Sequence, residues 1–134
     1  MSHNWPQDIL HMHNHYGINE IVDKMDEDKL RKFLKFRIDF LQEELDEMKQ
    51  AKDAENVVDA LIDLCVVAIG TLDSFDIDSH EAWDVVLKAN MNKAVGVKKE
   101  RPNPLGLPDL IKPKGWEAPS HAGNHGTLRR IFKL

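Results

Sequence analysis

Apolar residues recur at intervals of three and four along most of the chain, which predicts a helical protein. The clearest pattern runs from Asp26 to about Lys52, and Asp26 is placed to cap the N-terminus of this helix. Its apolar positions are Leu30, Phe33, Leu34, Ile38, Leu41, Leu45 and Met48. A shorter helical pattern covers residues 5–16, and Gly17 provides a stop signal after it.

A second long helix is predicted from about Asp53, and it is expected to be buried. After Leu61 this stretch is apolar nearly all round, as in a helix that is covered on every side. The many Val and Ile residues also suit a strand, but the run continues for about 19 residues without a turn signal, a length that favours a helix. Gly70 inside the helix costs about 1 kcal/mol relative to Ala, which suggests close packing at that position.

A third clear helix and an irregular tail complete the predicted architecture. Asp78 and Glu81 resemble a capping box at the start of the helix that contains Trp83. After Val95 the composition changes, and five of the six prolines fall within residues 102–119. We therefore expect an all-α antiparallel bundle, a single domain over residues 1–134. Its helical core covers about residues 5–94, and a basic tail over 95–134 wraps the helices.

The overall composition excludes several classes of protein. The chain has 134 residues, of which 42% are hydrophobic and 31% are charged, as in an ordinary soluble domain. Cys65 is the single cysteine, which excludes an intrachain disulfide and a cysteine-based zinc site. No apolar run reaches the roughly 20 residues of a membrane span. Residues 1–10 lack the features of a secretory signal, so we expect a cytoplasmic protein without membrane association.

The net charge of −5 is unevenly distributed. Residues 1–91 contain nine Lys and Arg against twenty Asp and Glu, whereas residues 92–134 contain nine against three. An acidic domain repels the phosphate backbone, so we expect no nucleic-acid partner. The acids suit divalent cations and the bases suit phosphates, although the same asymmetry also occurs on surfaces that are only solvated.

Carboxylates on the two long helices are the most informative residues. Glu44 and Glu47 are three residues apart, which places both on one helix face. Asp59 and Asp63 are four apart, and Asp63 lies in an otherwise apolar stretch where an unpaired carboxylate is costly. If the helices pack antiparallel, these acids converge and offer oxygen ligands to Mg²⁺ or Mn²⁺. The neighbouring acids on the first of the two long helices are interpreted as solvated surface residues.

The segments EELDE and DALIDLCVVAIGTLDSF resemble the all-α NTP pyrophosphohydrolases, the MazG-like and phosphoribosyl-ATP pyrophosphohydrolase-like group. The hallmark of this group is Glu-x-x-Glu on one helix and Glu-x-x-Asp on the next. Glu44 and Glu47 match the first half, and Asp63 matches the final Asp of the second. Ala60 stands where the second Glu would fall, and Asp59, one residue earlier, is a possible substitute ligand. MHNHYGI and IKPKGWEAPSH resemble a small, often phage-encoded branch of the group.

The resemblance also implies substrate contacts. AWDVVLKANMNKAVG resembles the short helix that ends the core of the group, where an Asn and a basic residue three positions later reach the substrate phosphates. Asn90 and Lys93 fit this pattern. The branch resemblance alone places His13 near the substrate opening. From the residues themselves, His11, His13 and His15 are better interpreted as surface or loop histidines than as zinc ligands.

Each of the other candidate contacts has two interpretations. Lys93 and Lys112 are either phosphate contacts or solvated lysines. Asn90 is a phosphate contact or a helix C-cap. Trp116 either stacks on a base or anchors the tail to the core, and we favour the anchoring role. Arg37, two turns before Glu44, is an ion-pair partner or a phosphate contact.

The resemblance implies an enzyme that cleaves a (d)NTP between the α and β phosphates, giving a nucleoside monophosphate and pyrophosphate. Mg²⁺, or alternatively Mn²⁺, is the implied cofactor, with Glu44 or Glu47 accepting the proton of the attacking water. Phosphoribosyl-ATP is the alternative substrate. A non-catalytic helical protein that binds a nucleotide or a partner is the alternative of another class. The group and the many apolar residues also predict a homodimer or homotetramer.

Overall fold

The protein is built mostly from helices. The computed structural model describes residues 3–98, 105–106 and 109–132. In this part of the chain the helices are α1 (Trp5–Tyr16), α2 (Ile18–Asp23), α3 (Glu27–Gln50), α4 (Ala54–Ser74) and α5 (Ser79–Met91). Two short strands, β1 (Ala94–Gly96) and β2 (Asp109–Ile111), pair antiparallel, and a 3₁₀-helix (Gly126–Arg130) follows. The predicted all-α class is confirmed.

The chain forms two compact units. The first extends to Ser79 and resumes at Gly123, so it contains α1–α4 and the 3₁₀-helix. The second extends from His80 to Ala122 and contains α5, β1 and β2. The single domain predicted over residues 1–134 stays a prediction.

Polar caps explain where the long helices begin. The Asp26 carboxylate accepts the backbone N–H of Lys29 at 2.8 Å, which caps α3 as the sequence predicted. Asp53 accepts the N–H of Asn56 at 2.8 Å and caps α4 in the same way. Gly17 adopts a left-handed conformation and ends α1 at its predicted position. The sequence therefore located these three helix ends to within about one residue.

The core of the first unit includes a residue from the far end of the chain. Val22, Leu30 and Phe75 are buried together with Ile131, which follows the 3₁₀-helix. The rings of Phe33 and Phe75 pack at a centroid distance of 5.6 Å. The last part of the predicted tail thus packs on the helices, as expected, and supplies part of their core.

The apolar helix α4 is less buried than the sequence predicted. Ala60 and Val67 are buried, but Val58, Leu61 and Ile62 are 60%, 47% and 46% exposed. The prediction of a helix covered on all sides is wrong for this chain, because α1, α2 and α3 leave one face of α4 open. Among the described residues, no helix, α4 included, has both the length and the apolar character needed to cross a membrane.

The described part of the tail is more regular than predicted. The pairing of β1 with β2 places Ala94 opposite Ile111 and Gly96 opposite Asp109. Further along, the backbone N–H of Thr127 donates to the carbonyl of Phe75 at 2.8 Å. These backbone contacts order segments in which the sequence shows no alternation of apolar and polar residues.

A buried asparagine attaches the tail to the segment before α5. The Asn124 Oδ1 accepts the N–H of Asp78 at 2.8 Å, and its Nδ2 donates to the Asp78 carbonyl at 2.9 Å. Asn124 is 8% exposed. Both hydrogen bonds are therefore shielded from water, and losing either one leaves a buried polar group unsatisfied.

We predict that Asn124→Asp lowers the free energy of unfolding by about 2 kcal/mol, because a carboxylate cannot donate to the Asp78 carbonyl. Urea unfolding measures this change. The matched control is Asn92→Asp at an exposed position, which should change stability by less than about 0.5 kcal/mol. Equal losses in the two variants would show that the paired hydrogen bonds of Asn124 contribute nothing.

Candidate active site

Arg37 fixes how α3 lies against α4. Its Nη2 donates to the Val67 carbonyl at 2.9 Å, and its Nε donates to the Thr71 Oγ1 at 2.9 Å. Only residues 51–53 link the two helices, so they run antiparallel. Glu44 lies two turns after Arg37, and this register therefore brings it level with Asp63, which lies about one turn before Val67.

Three carboxylates meet at this level and are called here the carboxylate cluster: Glu44, Glu47 and Asp63. Glu44 is only 8% exposed. Burial raises the pKa of Glu44, and the negative charges of Glu47, Asp63 and the exposed Glu43 raise it further. The structure thus brings together the three acids whose spacing predicted a shared site, and their roles stay predictions.

One oxygen of the carboxylate cluster has no protein partner. The Glu44 Oε2 is buried and accepts no hydrogen bond from any described residue. Such an atom is costly unless a donor or a cation satisfies it. Glu47 is exposed and Asp63 is half-buried, so the cluster is buried at Glu44 and open to solvent at Glu47.

The donor set of the cluster suits a hard divalent cation. Carboxylate oxygens are the ligands that Mg²⁺ and Mn²⁺ prefer, and the unsatisfied Glu44 oxygen fits this use. Among the described residues, however, no three His, Cys, Asp or Glu side chains are already arranged to hold a metal ion. Metal binding by these acids therefore requires their side chains to rotate toward one another.

Asp59 does not join the carboxylate cluster. It is exposed, and its charge is not among those that shift the pKa of Glu44. Ala60 is 3% exposed and occupies the inward-facing position one turn before Asp63. The position at which the resemblance expected a second Glu is thus filled by a buried methyl group, and Asp59 does not take its place in this arrangement.

His13 is buried, contrary to the expectation of a surface or loop histidine. It is 2% exposed, and its Nδ1 lies 2.7 Å from the Asp73 Oδ2. Asn19 donates to the same Asp73 oxygen at 3.1 Å. The carboxylate of α4 satisfies the imidazole, which allows a histidine on the packed face of α1. The expectation holds for His11 and His15, which are exposed.

The absence of a side chain at Gly70 explains how Arg37 and His13 both fit against α4. A Cβ atom at this position would lie 2.7 Å from the Arg37 Nη2 and 3.3 Å from the His13 ring. The missing side chain therefore leaves room for two polar groups that approach α4 from α3 and from α1. The close packing predicted for Gly70 is confirmed.

Of the two predicted roles of Arg37, the ion pair is not observed among the described residues, and the phosphate contact stays a prediction. Its hydrogen bonds go to α4, and its guanidinium lies 5.7 Å from the ring centre of Phe40. In residues 3–98, 105–106 and 109–132 it forms no ion pair with a carboxylate. Burial lowers its pKa. The sequence could not show this role, because the acceptors of Arg37 lie 30 and 34 positions away.

The second unit contains the other predicted contacts. The indole N–H of Trp116 donates to the Ala89 carbonyl of α5 at 2.7 Å. Trp116 therefore anchors the tail to this helix, the role that we favoured from the sequence. The Nζ atoms of Lys93 and Lys112 lie 5.4 Å and 5.2 Å from the Trp116 ring centre. Asn90 is exposed in the last turn of α5, ahead of the final helical residue rather than at a C-cap.

A sequence profile of phosphoribosyl-ATP pyrophosphohydrolase matches residues 17–90, more than half of the chain. The chain belongs to the phosphoribosyl-ATP pyrophosphohydrolase family. This family is part of the MazG-like all-α NTP pyrophosphohydrolase superfamily, so the resemblance seen in the sequence is confirmed. Comparison with curated proteins and with solved structures finds no match.

Membership in the family makes the protein a pyrophosphohydrolase, an enzyme that hydrolyses phosphoanhydride bonds. Enzymes of this family typically depend on a metal. The matched residues include the carboxylate cluster and Asn90, and they end before Lys93, Lys112 and Trp116. The family match therefore covers the acidic part of the candidate site.

The raised pKa of Glu44 predicts an unusual dependence of stability on pH. Below the ordinary pKa of a glutamate, about 4.3, the residue is protonated in both folded and unfolded chains and has no effect. As the pH rises from there through the raised pKa, charging Glu44 costs free energy only in the folded state. Without metal, Glu44 therefore lowers stability progressively toward neutral pH.

We expect Glu44→Gln to raise the melting temperature by a few degrees at pH 7.5 in EDTA, with the gain shrinking as the pH falls toward 4. Adding Mg²⁺ should raise the melting temperature of the natural protein and leave that of Glu44→Gln nearly unchanged. Asp46→Asn, an exposed acid of the same helix whose charge is not among those that raise the Glu44 pKa, is the control and should keep the response to Mg²⁺. A full response in Glu44→Gln would remove Glu44 from the ligand set.

Proposed function

We propose that the protein is a Mg²⁺-dependent nucleoside triphosphate pyrophosphohydrolase that cleaves a (d)NTP between the α and β phosphates. The observation that supports this most is the buried Glu44 with an unsatisfied oxygen beside Glu47 and Asp63. A triphosphate is repelled by such a cluster unless cations lie between them. The carboxylate cluster and an anionic substrate are thus compatible only through metal ions.

The three acids take different parts in this proposal. When bound, Mg²⁺ neutralises phosphate charge and lowers the pKa of the attacking water. Glu44 and Asp63 would hold the ion from the buried side of the cluster, because they are its less exposed members. Glu47 faces solvent, from which water arrives, and we place it as the acceptor of the water proton.

The proposed phosphate contacts are Asn90, Lys93 and Lys112. Asn90 is exposed at the end of α5, and the Nζ atoms of Lys93 and Lys112 both lie near the Trp116 ring. Arg37 and His13 stay predictions as substrate contacts, because their observed hydrogen bonds go to α4. Cations of this kind complement the charge of a triphosphate.

The family description favours one alternative substrate, phosphoribosyl-ATP. Its hydrolysis breaks the same type of α–β phosphoanhydride bond, and the carboxylate cluster would serve both reactions. Phosphoribosyl-ATP differs from ATP in the phosphoribosyl group attached to the adenine base. A substrate panel separates them more directly than any feature of the cluster.

We predict Mg²⁺-dependent release of pyrophosphate when the protein is incubated with the ribonucleoside and deoxyribonucleoside triphosphates and with phosphoribosyl-ATP. EDTA should abolish the release. Asp63→Asn and Glu47→Gln should each lower kcat/KM by about 100-fold or more, the usual cost of losing an acid–base group or a metal ligand. Asp59→Asn, an exposed carboxylate of the same helix, should change it by less than about threefold.

Each other outcome of this assay has a defined meaning. Release from phosphoribosyl-ATP alone would establish the alternative substrate. A loss in Asp59→Asn as large as in Asp63→Asn would place Asp59 in the ligand set. Folded protein that releases no pyrophosphate from any substrate would contradict the proposal and favour a non-catalytic protein that binds nucleotides or a partner.

We further propose that the protein is a homodimer or homotetramer assembled through α4. The exposed residues Val58, Leu61 and Ile62 form an apolar face on this helix. Beside it lies a cavity of about 200 Å³, lined by Trp5, Asp8, Ile9, Ile62, Cys65, Val66 and Ile69. A contiguous exposed apolar surface of this kind is typical of subunit interfaces.

Light scattering at micromolar concentration should give at least twice the mass of the chain, and Leu61→Asp should lower it by placing a charge in the apolar face. The matched control is Ile21→Asp, which alters an apolar residue of α2 that is 62% exposed. It should leave the mass unchanged. A monomeric natural protein would refute the proposed assembly.

A further inference from the structure

Two lysines are held opposite each other at the end of the short sheet. The antiparallel ladder pairs Ala94 with Ile111, so Lys93 and Lys112, each one residue outside its strand, form the next opposed pair. Like charges directly opposite each other on paired strands are destabilising. In the described ranges neither lysine forms an ion pair with a carboxylate. The arrangement therefore maintains a local excess of positive charge.

Trp116 offsets part of this repulsion. Both Nζ atoms lie within 5.5 Å of its ring centre, at 5.4 Å for Lys93 and 5.2 Å for Lys112. Ammonium groups at such distances from an indole are attracted by the negative face of the ring. One aromatic side chain thus interacts with both cations.

The indole itself is held at two points. Its N–H donates to the Ala89 carbonyl at 2.7 Å, near the end of the helix that leads to Lys93. Its backbone N–H donates to the Pro113 carbonyl at 3.0 Å, closing a turn in which Gly115 has φ +80°. This φ suits glycine and gives the turn that follows Lys112. Trp116 is therefore fixed relative to both lysines.

This arrangement suits an anion with several oxygens. Each ammonium group has three N–H donors and no acceptor, so the pair offers more donors than a single aromatic ring can satisfy. Cation–π attraction at an exposed site is weak, about 0.5–1 kcal/mol, and leaves the donors able to bind phosphate oxygens. The indole N–H is already used by Ala89, which argues against an indole that moves to stack on a base.

We propose that Trp116 is a positioning residue that holds Lys93 and Lys112 as a clamp for the phosphate oxygens of the substrate. The proposal deepens the proposed hydrolase function and rests on it for the identity of the substrate. In this role Trp116 acts through the two lysines and makes no contact of its own with the base.

Titration calorimetry with inorganic pyrophosphate in EDTA tests the clamp without catalysis and without metal at the carboxylate cluster. Lys93→Gln, Lys112→Gln and Trp116→Leu should each weaken binding by about tenfold, whereas Trp116→Phe keeps an aromatic face and should lose about threefold. Lys114→Gln removes a charge from the same turn, two residues from Lys112, and should change the affinity by less than about twofold.

A double-mutant cycle separates positioning from general structural damage. If Trp116 acts through the lysines, Trp116→Leu should weaken binding no further once Lys93 and Lys112 are both glutamine. An additional tenfold loss in that background would overturn the proposal, even if Trp116→Leu also lowered the melting temperature. Pyrophosphate affinity equal to that of the natural protein in Trp116→Leu would overturn it as well, as would a loss in Lys114→Gln that matched that in Lys112→Gln.

Steady-state kinetics distinguish failure of the clamp from failure of the hydrolase. Trp116→Leu should raise KM for the hydrolysed nucleotide by about tenfold and leave kcat within about twofold, as expected for a binding contact. An active enzyme with an unchanged KM in this variant refutes the clamp and leaves the hydrolase standing. Inactivity on every nucleotide, with the predicted pattern of pyrophosphate binding, refutes the hydrolase and supports the clamp.

Discussion

The hydrogen bonds from Arg37 to α4 are the interaction on which the candidate site depends. A helix turns by about 100° per residue, so a slip of one position between α3 and α4 would rotate a carboxylate out of the cluster. Two donors of one planar guanidinium bind a carbonyl and a hydroxyl that lie one turn apart on α4. These two hydrogen bonds fix both the position of α3 along α4 and its rotation about its own axis. Gly70 makes this contact possible, because any larger side chain would occupy the space of the guanidinium. A structural arginine thus determines where the acids meet.

The same packing creates an electrostatic conflict. Glu44 is buried beside two further acids, and its raised pKa expresses the cost of holding a negative charge there. Proteins tolerate such local instability where a ligand relieves it. Under the proposed function, a divalent cation bound at the unsatisfied Glu44 oxygen would relieve this cost, and enzymes of the phosphoribosyl-ATP pyrophosphohydrolase family typically depend on a metal. In the second unit the repulsion is between positive charges, because two lysines lie near the same indole ring.

Local patterns in the sequence predicted those features that depend only on residues close together in the chain. Asp26 and Gly17 mark helix ends through their own backbone preferences, and the three-residue spacing of Glu44 and Glu47 fixes a common face. Contacts between distant residues were not predictable. The burial of His13 depends on Asp73, sixty positions later, and the opposition of Lys93 and Lys112 depends on strands of three residues each. The open face of α4 was missed because the apolar pattern of a helix does not show which of its faces the rest of the chain leaves exposed.

The placement of Ile131 has a consequence for how the protein is made. The chain leaves the first unit at Ser79, forms the second, and returns at Gly123. Ile131 then joins a core whose other buried members, Val22, Leu30 and Phe75, were synthesised much earlier. A ribosome adds residues in order, at about 5–20 per second, and shields the newest ones in its exit tunnel. The first helices therefore lack one buried member of their core until Ile131 has been synthesised and has left the exit tunnel.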